Sequence, residues 1–385
     1  MKTAACLCLV ALALWAAACG GTPSATQPVA SEGNATLITG PATSPPSTPA
    51  ASVTPEPIAP PTAPPPPITP SPAPTDTPPL TPTPVPAATH TAPTPEPTAA
   101  VLWRLGGTKD AENALFTDLG GLDVAGERVY VADRFGGVRI FDLAGAYQAF
   151  ISAGEIGYIT DVKAGPDGTV YIADAALHQI TMFNADLDLL GGFGAAGPGK
   201  GEFGPNSPAA LAVSPDGEVF VLDPNKDASG QPVMRVLVFS AAGDFLRSFP
   251  AEPGPDAVGM AVSPDGTLFI VNRQGYVAEV EPEAGRLIAR LGEKALTGAW
   301  PQMIAVDDVG NLYVTTQIPT SVAVLSTQGH GLIERIGEEG VRTDEGWPEG
   351  KFLSPFSIAV TGDGRRVFVG DTADPFSYVT AFERR

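Results

Sequence analysis

The sequence predicts an all-β protein, a six-bladed β-propeller preceded by a disordered stalk rich in proline and threonine. Three observations carry this prediction. A β-rich unit recurs six times in residues 101–385, 25 of the 42 prolines fall in residues 20–100, and the 3 cysteines all lie in the first 19 residues. Length alone favours two or three domains, but the composition divides the 385 residues into a leader, a stalk and one large domain.

Residues 1–18 are predicted to be a signal peptide. Lys2 supplies a positive charge, and residues 3–18 form an uncharged, mostly apolar run that is short for a membrane-spanning helix. Three alanines lead into Cys19. This junction resembles the lipobox of bacterial lipoproteins, although alanine stands three positions before the cysteine, where leucine is more common. The resemblance implies that Cys19 is diacylated and anchors the chain outside the cytoplasm to a bacterial membrane. The alternative is a plain secretory signal that is cut near Ala18.

The cysteine pattern favours the lipid anchor. Cys6 and Cys8 would leave with the signal peptide, so the mature chain would keep Cys19 alone. A lone thiol is unusual in an exported protein unless something is attached to it. Because no disulfide is available to the folded part, its hydrophobic core must hold it together unaided.

Residues 19–100 are predicted to be a disordered tether. The stretch is rich in proline, threonine and alanine and contains no Lys or Arg. Such a composition cannot bury enough apolar surface to offset the entropy of the chain, and its proline runs favour extended polyproline II segments. We expect a semi-stiff spacer that lifts the following domain off a membrane. Its Ser/Thr-Pro composition also permits O-glycosylation, which stays open.

Residues 101–385 contain six units with one layout. Each unit begins with a short apolar strand, a turn that often contains Asp-Gly, and a second strand that usually ends in a carboxylate. Two further β-rich segments follow in most units. Asp-Gly or Gly-Asn between alternating apolar residues is a strong hairpin signal, and four antiparallel strands per unit are typical of a propeller blade. The paired first and second strands lie at 122–133, 162–174, 211–223, 260–272, 304–316 and 358–371.

The sixth unit lacks a fourth strand, because the chain stops shortly after its third. The first residues of the domain, 101–106, match the missing strand. We therefore expect residues 101–106 to pair with residues 377–382, which would close the ring and remove an exposed sheet edge.

The units resemble NHL repeats, a family of β-propellers, over the whole of residues 101–385. The most specific match is the inter-blade segment at 197–203 (GPGKGEF), which is followed by Pro208 and LAVSPDG. A looser copy lies at 350–364, and residues 174–180 (DAALHQI) are similar to the crossing from the second to the third strand in that family. The resemblance implies a six-bladed propeller. Units four and five depart from the pattern, so it assigns no role to single residues there.

One face of the propeller is the candidate binding surface. Loops between second and third strands share a face with the connections between blades, and these are the longer and more varied loops, where binding residues usually lie. Residues 223–232 are expected to form the longest loop of this kind. Exposed aromatic residues near arginine are typical of interfaces, although the same rings could wedge between blades. The candidates are Arg134, Phe135, Lys226, Asp227, Arg273, Gln274, Tyr276, Trp300, Trp347 and Phe376.

The residues that close the second strands are interpreted as structural. Hard cations prefer six or more oxygen ligands, so a calcium ring is the competing interpretation. Equivalent positions in a propeller lie one per blade, too far apart to share one ion. We therefore expect each carboxylate to accept backbone N–H groups of its own blade, and a bound metal stays unknown. These positions are Asp133, Asp174, Asp223, Asn272, Thr316 and Asp371.

The sequence offers no catalytic residue. The loop 194–200 nearly matches a phosphate-binding loop, but Gly201 stands where Ser or Thr must hold magnesium, and no helix follows. The domain has only His178 and His330, too few for the metal sites with several histidines found in amidating lyases of similar architecture. A calcium-dependent lactonase related to gluconolactonase needs only carboxylates and asparagine, and it remains the enzymatic alternative.

Charge narrows the class of partner. The formal net charge is −20, and the domain itself holds 21 basic against 38 acidic residues, which argues against nucleic acid. We therefore predict a lipid-anchored extracytoplasmic propeller, monomeric and without a cofactor unless calcium binds. Its predicted role is that of a non-catalytic scaffold for a protein, peptide or glycan. The alternative is a calcium-dependent hydrolase of lactones or esters of the gluconolactonase type.

Overall fold

The computed structural model describes residues 99–106, 116–152, 157–252, 254–328, 331–341, 348, 350–372 and 377–385. The predicted signal peptide, the stalk up to residue 98, Cys19, His330, Trp347 and Phe376 lie outside the described residues. No helix within the described ranges has the length and hydrophobicity needed to cross a membrane.

Strands make up nearly all the regular structure of the described residues, and the one helix, α1 (Glu293–Leu296), is a single turn. In chain order the strands are β1 (Ala99–Gly106), β2 (Leu119–Ala125), β3 (Arg128–Asp133), β4 (Gly137–Asp142), β5 (Tyr147–Ile151), β6 (Ile159–Ala164), β7 (Val170–Asp174), β8 (Gln179–Phe183), β9 (Leu189–Phe193), β10 (Ala210–Val213), β11 (Val219–Lys226), β12 (Pro232–Phe239), β13 (Phe245–Pro250), β14 (Ala257–Val262), β15 (Leu268–Asn272), β16 (Tyr276–Glu281), β17 (Arg286–Leu291), β18 (Pro301–Val306), β19 (Asn311–Gln317), β20 (Thr320–Ser326), β21 (Leu332–Ile336), β22 (Glu338–Glu339), β23 (Lys351–Phe352), β24 (Pro355–Val360), β25 (Arg366–Asp371) and β26 (Tyr378–Arg384).

Four-stranded antiparallel sheets form the six predicted blades, which confirms the fold class. From the inner to the outer strand, blade 1 is β2–β5, blade 2 is β6–β9, blade 3 is β10–β13, blade 4 is β14–β17, blade 5 is β18–β21, and blade 6 is β24, β25, β26 and β1. Each inner strand contacts the inner strand of the next blade, and β24 contacts β2, so the ring closes around a central channel.

Burial explains why the strands differ in composition. Second strands such as β7 are buried along their whole length, because each sheet packs between two others, and they therefore read as continuous apolar runs. Outer strands such as β17 alternate between exposed and partly buried residues, and arginine occupies two of the exposed positions, 286 and 290. The position of a strand within its blade can thus be read from its hydrophobic pattern.

The first and last parts of the domain meet in blade 6. β1 pairs antiparallel with β26, from Ala99 opposite Arg384 to Gly106 opposite Tyr378. The strand begins two residues earlier than the predicted boundary at 101. The ring of Trp103 packs on Phe368 at 5.7 Å between centroids, and its indole N–H donates to the carbonyl of Leu143 in blade 1 (3.1 Å).

The expected loop at residues 223–232 is mostly a hairpin. β11 continues to Lys226 and pairs with β12 from Pro232 onward, which leaves only residues 227–231 as a turn. The side chain of Asp227 accepts hydrogen bonds from the backbone N–H groups of Ser229 and Gln231 (2.8 and 2.9 Å), and these bonds fix the turn. The segment outside the strands is thus shorter than the expected loop at 223–232, because the strand pairing extends past the proline and asparagine at 224–225.

The propeller has two distinct faces. The upper face carries the turns between second and third strands and the connections between blades, and the lower face carries the other turns. Five inner strands begin at the upper face with an irregularity in their pairing, a β-bulge. Such bulges redirect side chains and are common next to functional sites. The bulges lie between Leu119 and Leu122, Ile159 and Asp161, Ala257 and Gly259, Pro301 and Ile304, and Pro355 and Ser357.

Candidate functional site

Four side chains on the upper face form a compact group, here named the arginine–aromatic patch: Arg134, Phe135, Tyr158 and Phe356. Arg134 and Phe135 occupy the turn between β3 and β4 in blade 1, Tyr158 directly precedes β6 in blade 2, and Phe356 lies in the bulge of β24 in blade 6. The guanidinium carbon of Arg134 lies 5.1 Å from the ring centroid of Tyr158 and 4.9 Å from that of Phe356. The patch thus joins three blades where their inner strands begin.

The arginine of the patch is held rigidly. Its Nε donates to the carbonyl of Leu119 (3.0 Å) and pairs with the carboxylate of Asp118 (3.3 Å), and its Nη1 donates to the hydroxyl of Tyr158. Burial raises the pKa of Asp118, although the charge of Arg134 opposes this shift. Because the hydrogen bonds and both rings fix one orientation, a ligand would lose little side-chain entropy of Arg134 on binding.

Phe135 is the exposed part of the patch. Its side chain is 69% exposed, and its ring meets the edge of Tyr158 at 5.3 Å between centroids. An aromatic ring that stays in water while resting on a second ring is a ready contact surface for a partner. The tyrosine beneath it is itself fixed, since Asp174 accepts a hydrogen bond from the backbone N–H of Tyr158 (3.0 Å).

The other predicted binding residues are dispersed. Lys226 and Asp227 lie exposed at the tip of the blade 3 hairpin, and Arg273 and Gln274 are exposed in blade 4. Tyr276 is only 6% exposed and lies under Arg290, so its ring packs inside the protein and does not belong to the surface. Trp300 is half exposed and lies directly before β18 in blade 5, and no contact with the patch residues is recorded for it within the described ranges. Of the predicted binding residues within the described ranges, Arg134 and Phe135 are the two that belong to the arginine–aromatic patch.

Tyr158 and Phe356 were not predicted from the sequence. A sequence signal becomes visible only when the inner strands of the six blades are aligned. The residue at the bulge is small or aliphatic in several blades, as at Thr160 and Val258, whereas blade 6 has Phe356 there. The bulges themselves leave no mark in the sequence, and the neighbouring blades become adjacent only when the ring closes.

The carboxylates at the ends of the second strands bind backbone groups of their own blades. Each accepts hydrogen bonds from the segment that leads into its inner strand. Asp133 accepts from Thr117 N–H (2.9 Å), Asp174 from Gly157 N–H (2.6 Å), Asp223 from Gly204 N–H (2.7 Å), and Asp371 from Leu353 and Ser354 N–H (both 2.7 Å).

The two blades without a carboxylate differ from this pattern. Asn272 accepts from the backbone N–H of Gln274, and its amide nitrogen is buried without a hydrogen-bond partner. Thr316 instead donates to the carbonyl of Pro319 (2.7 Å). Within the described ranges no three His, Cys, Asp or Glu side chains converge as metal ligands.

A second polar group lies in the central channel. Asp123, Asp161 and Lys163, here named the channel triad, stand on the neighbouring inner strands β2 and β6. Lys163 Nζ donates to Asp161 (3.3 Å) and to the carbonyl of Leu122 (2.8 Å), Asp123 accepts from Ala164 N–H (2.8 Å), and Asp161 accepts from Leu211 N–H (2.9 Å). The triad therefore links blades 1, 2 and 3.

The triad was also missed, although the sequence holds a signal for it. Aligned inner strands carry alanine at one position in four blades, and blades 1 and 2 carry a charge there. Charged residues are rare at buried positions unless they are paired, so two such exceptions in adjacent repeats predict a contact. The aligned residues are Asp123, Lys163, Ala212, Ala261, Ala305 and Ala359.

Burial perturbs the titration of the triad. It raises the pKa of Asp123 from 3.8 to about 6, an effect that Lys163 only partly offsets. Burial also raises the pKa of Asp161. For Lys163 burial acts downward, but the two carboxylates outweigh it and raise the pKa.

We expect the wild-type protein to gain about 1–2 kcal/mol of stability relative to Asp123→Asn when the pH falls from 7.5 to 5. The folded-state pKa of about 6 lies above the ordinary 3.8, so the folded protein binds the proton more tightly and the penalty for ionised Asp123 fades below pH 6. Urea unfolding of both proteins at the two pH values measures the difference. Asp161 titrates in both, so a difference that does not change with pH would contradict the assignment.

Comparisons with known proteins support the propeller fold of this chain and assign it to no family. No protein-family model and no curated protein matches the sequence. Among solved structures, virginiamycin B lyase from Staphylococcus aureus is similar at 12% identity with a TM-score of 0.50, covering 74% of this chain and 100% of that one. A gluconolactonase from Xanthomonas campestris is similar at 17% identity with a TM-score of 0.52, covering 74% of this chain and 89% of that one. At such identities the likeness shows the propeller fold alone, and membership of the NHL-repeat family stays a prediction.

Proposed function

We propose that this protein is a lipid-anchored, extracytoplasmic propeller that binds a partner through the arginine–aromatic patch and catalyses no reaction. The observation that carries the proposal is Phe135, 69% exposed beside an arginine that is fixed between two rings. Binding hot spots combine an aromatic side chain with arginine in this way, because the ring releases water and the rigid cation adds direction. NHL-like repeats on a stalk are consistent with such a scaffold.

A protein or peptide segment is the partner that this surface fits best. Its apolar contact is one exposed ring, and the guanidinium beside it favours a carboxylate or a carbonyl oxygen. Nucleic acid is disfavoured, since the domain holds 21 basic against 38 acidic residues and would repel phosphates. A glycan that stacks on Phe135 would use the same ring, so chemical identification of the bound partner separates the two.

A photoreactive phenylalanine analogue at position 135 is expected to cross-link to one defined partner in intact cells. The same analogue at Val309, which is 70% exposed on the lower face, serves as the matched control and should not give that adduct. With the identified partner purified, Phe135→Ala should weaken binding at least about tenfold, the usual effect of losing an aromatic hot spot. An identical adduct from position 309, or unchanged affinity of Phe135→Ala, would contradict the patch.

The membrane anchor is proposed to be the lipidated Cys19. We expect Cys19→Ser to abolish incorporation of a radiolabelled or clickable fatty acid and to release the protein from the membrane fraction. The matched control is Cys6→Ser, which alters a cysteine inside the predicted signal peptide and should leave labelling intact. Labelling that persists in Cys19→Ser would refute the lipobox interpretation.

The calcium-dependent hydrolase is the weaker candidate. A lactonase site would need several oxygen ligands around one ion, and the described part of the chain brings no three carboxylates, cysteines or histidines together. The carboxylates at the strand ends are engaged with the backbone of their own blades. No arrangement among the described residues thus favours this alternative over a binding scaffold.

A further inference from the structure

The lower end of the central channel opens into a cavity of about 150 Å³, here named the chamber. It lies on the opposite face from the arginine–aromatic patch, so a ligand in the chamber would bind independently of the partner proposed above. Asp123 and Lys163 are the charged residues of its wall. The remaining residues of its wall are apolar and come from all six blades, for example Val124, Ala164, Val213, Val262, Ala305 and Val360.

The charges of the chamber do not balance. Lys163 is paired with Asp161, whose side chain is almost fully buried and accepts three hydrogen bonds. Asp123 interacts electrostatically with the same ammonium group of Lys163. Its hydrogen bond to the neighbouring blade comes from the neutral N–H of Ala164. Two carboxylates therefore share one cation, and the channel triad as a whole carries one excess negative charge when both are ionised.

The inner strands also present backbone groups to the chamber. In an antiparallel pair, every second residue turns its N–H and C=O away from its partner strand. The hydrogen bonds of the turns show which residues of the inner strands point toward the partner strand. Ser263 N–H donates to Thr267 O in blade 4, and Asp307 N–H donates to Asn311 O in blade 5. The residues one and three positions before Ser263, and likewise before Asp307, therefore direct their N–H and C=O groups into the channel. The same phase in blades 2 and 3 is visible in the contacts of Ala164 and Leu211 with the triad.

We propose that the chamber binds a small organic cation, a primary ammonium group on a short aliphatic chain. The ammonium would lie at Asp123 and donate its other hydrogens to carbonyl oxygens of the inner strands, and the aliphatic chain would lie among the alanine and valine side chains. A cavity of about 150 Å³ holds a molecule about the size of benzene, which limits the ligand to about six non-hydrogen atoms.

Two other ligand classes fit less well. An anion would meet the excess negative charge, because Lys163 is already committed to Asp161 and to the carbonyl of Leu122. A divalent metal ion prefers six or more oxygens including several carboxylates, and among the described residues of the chamber wall Asp123 is the one carboxylate. The ammonium group satisfies both the charge and the number of available acceptors.

Calorimetric titration of the purified full chain at pH 7.5 tests this inference, with n-propylammonium chloride as the probe. We expect saturable binding of one probe molecule per chain, and no saturable binding of sodium propionate, the anion of the same shape, or of calcium chloride. Asp123→Asn, which keeps an oxygen acceptor for Ala164 N–H, should weaken propylammonium binding at least tenfold. Asp186→Asn removes an equal charge from an exposed turn on the same face and should bind like the wild type.

A second variant separates loss of the site from loss of the fold. Ala305→Leu keeps every charge and fills part of the chamber, so it should also abolish propylammonium binding while thermal unfolding stays cooperative. The inference is overturned if propylammonium fails to bind the wild type, if Asp123→Asn binds it with unchanged affinity, or if calcium binds in its place. Retained binding in a folded Ala305→Leu would place the cation elsewhere and would equally overturn it.

Discussion

Replacing Asp161 with alanine is expected to lower the free energy of unfolding by about 3 kcal/mol at pH 7.5. Removing one partner of a buried ion pair leaves the other charge uncompensated, which costs about 3–5 kcal/mol. We expect the lower end of this range, because the carboxylate of Asp123 still partly compensates the charge of Lys163. The N–H of Leu211 in blade 3 would also lose its acceptor. Urea unfolding followed by tryptophan fluorescence or circular dichroism measures the change.

The origin of this effect can be separated by a double-mutant cycle. Because Lys163→Met removes the stranded charge, Asp161→Ala combined with Lys163→Met should be more stable than Asp161→Ala alone. Asp186→Ala, at an exposed position in blade 2, is the matched control and should change the stability by less than about 0.5 kcal/mol. If the double variant loses the full sum of the single effects, the pair does not act as described.

Deleting residues 1–106 is expected to lower the melting temperature by about 10 °C and to cause self-association, whereas deleting residues 1–98 should leave the melting temperature unchanged. The longer deletion removes β1 together with Trp103, whose loss alone corresponds to about 3–5 kcal/mol for a packed aromatic side chain. It also leaves β26 as an unpaired edge, which is a template for pairing with another chain.

Scanning calorimetry and size-exclusion chromatography of the two truncated proteins provide the measurement. The two chains differ only by the eight residues that form one strand, so any difference between them reports on that strand. Equal melting temperatures and a monomeric 107–385 protein would show that the ring is closed by the other blades alone.

Much of the fold could be predicted because each blade repeats a local signal. The Asp-Gly turns at 167–168, 216–217 and 265–266 mark hairpins whatever surrounds them, and the apolar second strands mark the middle of each sheet. The missing fourth strand of blade 6 follows from counting strands. The continuation of the β11–β12 hairpin could not be predicted, because pairing across Pro224 depends on the partner strand and not on local propensity.

The candidate sites were less predictable than the fold. Arg134 and Phe135 stand out as an arginine beside an aromatic residue in a turn, but Phe356 is more than 200 positions away and reaches Arg134 only through ring closure. Tyr276 looked like a surface aromatic and is buried, because Arg290 on an adjacent strand covers its ring. Asp161 is similarly hidden, since its side chain occupies space that opens only because residue 121 is glycine, where a Cβ would lie 1.7 Å from a carboxylate oxygen.

The strand that closes the ring is also the place where the preceding chain joins the domain, and this has a mechanical consequence. A pull on the chain before Ala99 is applied first to the pairs that join Ala99, Ala100 and Val101 to β26. The bulge between Val101 and Trp103 separates these pairs from the rest of the strand. The rest of the strand is held more firmly, because the indole of Trp103 packs on Phe368. Under tension, blade 6 would therefore yield in two steps, a short fray at the first three pairs and then a larger rupture that opens the whole ring.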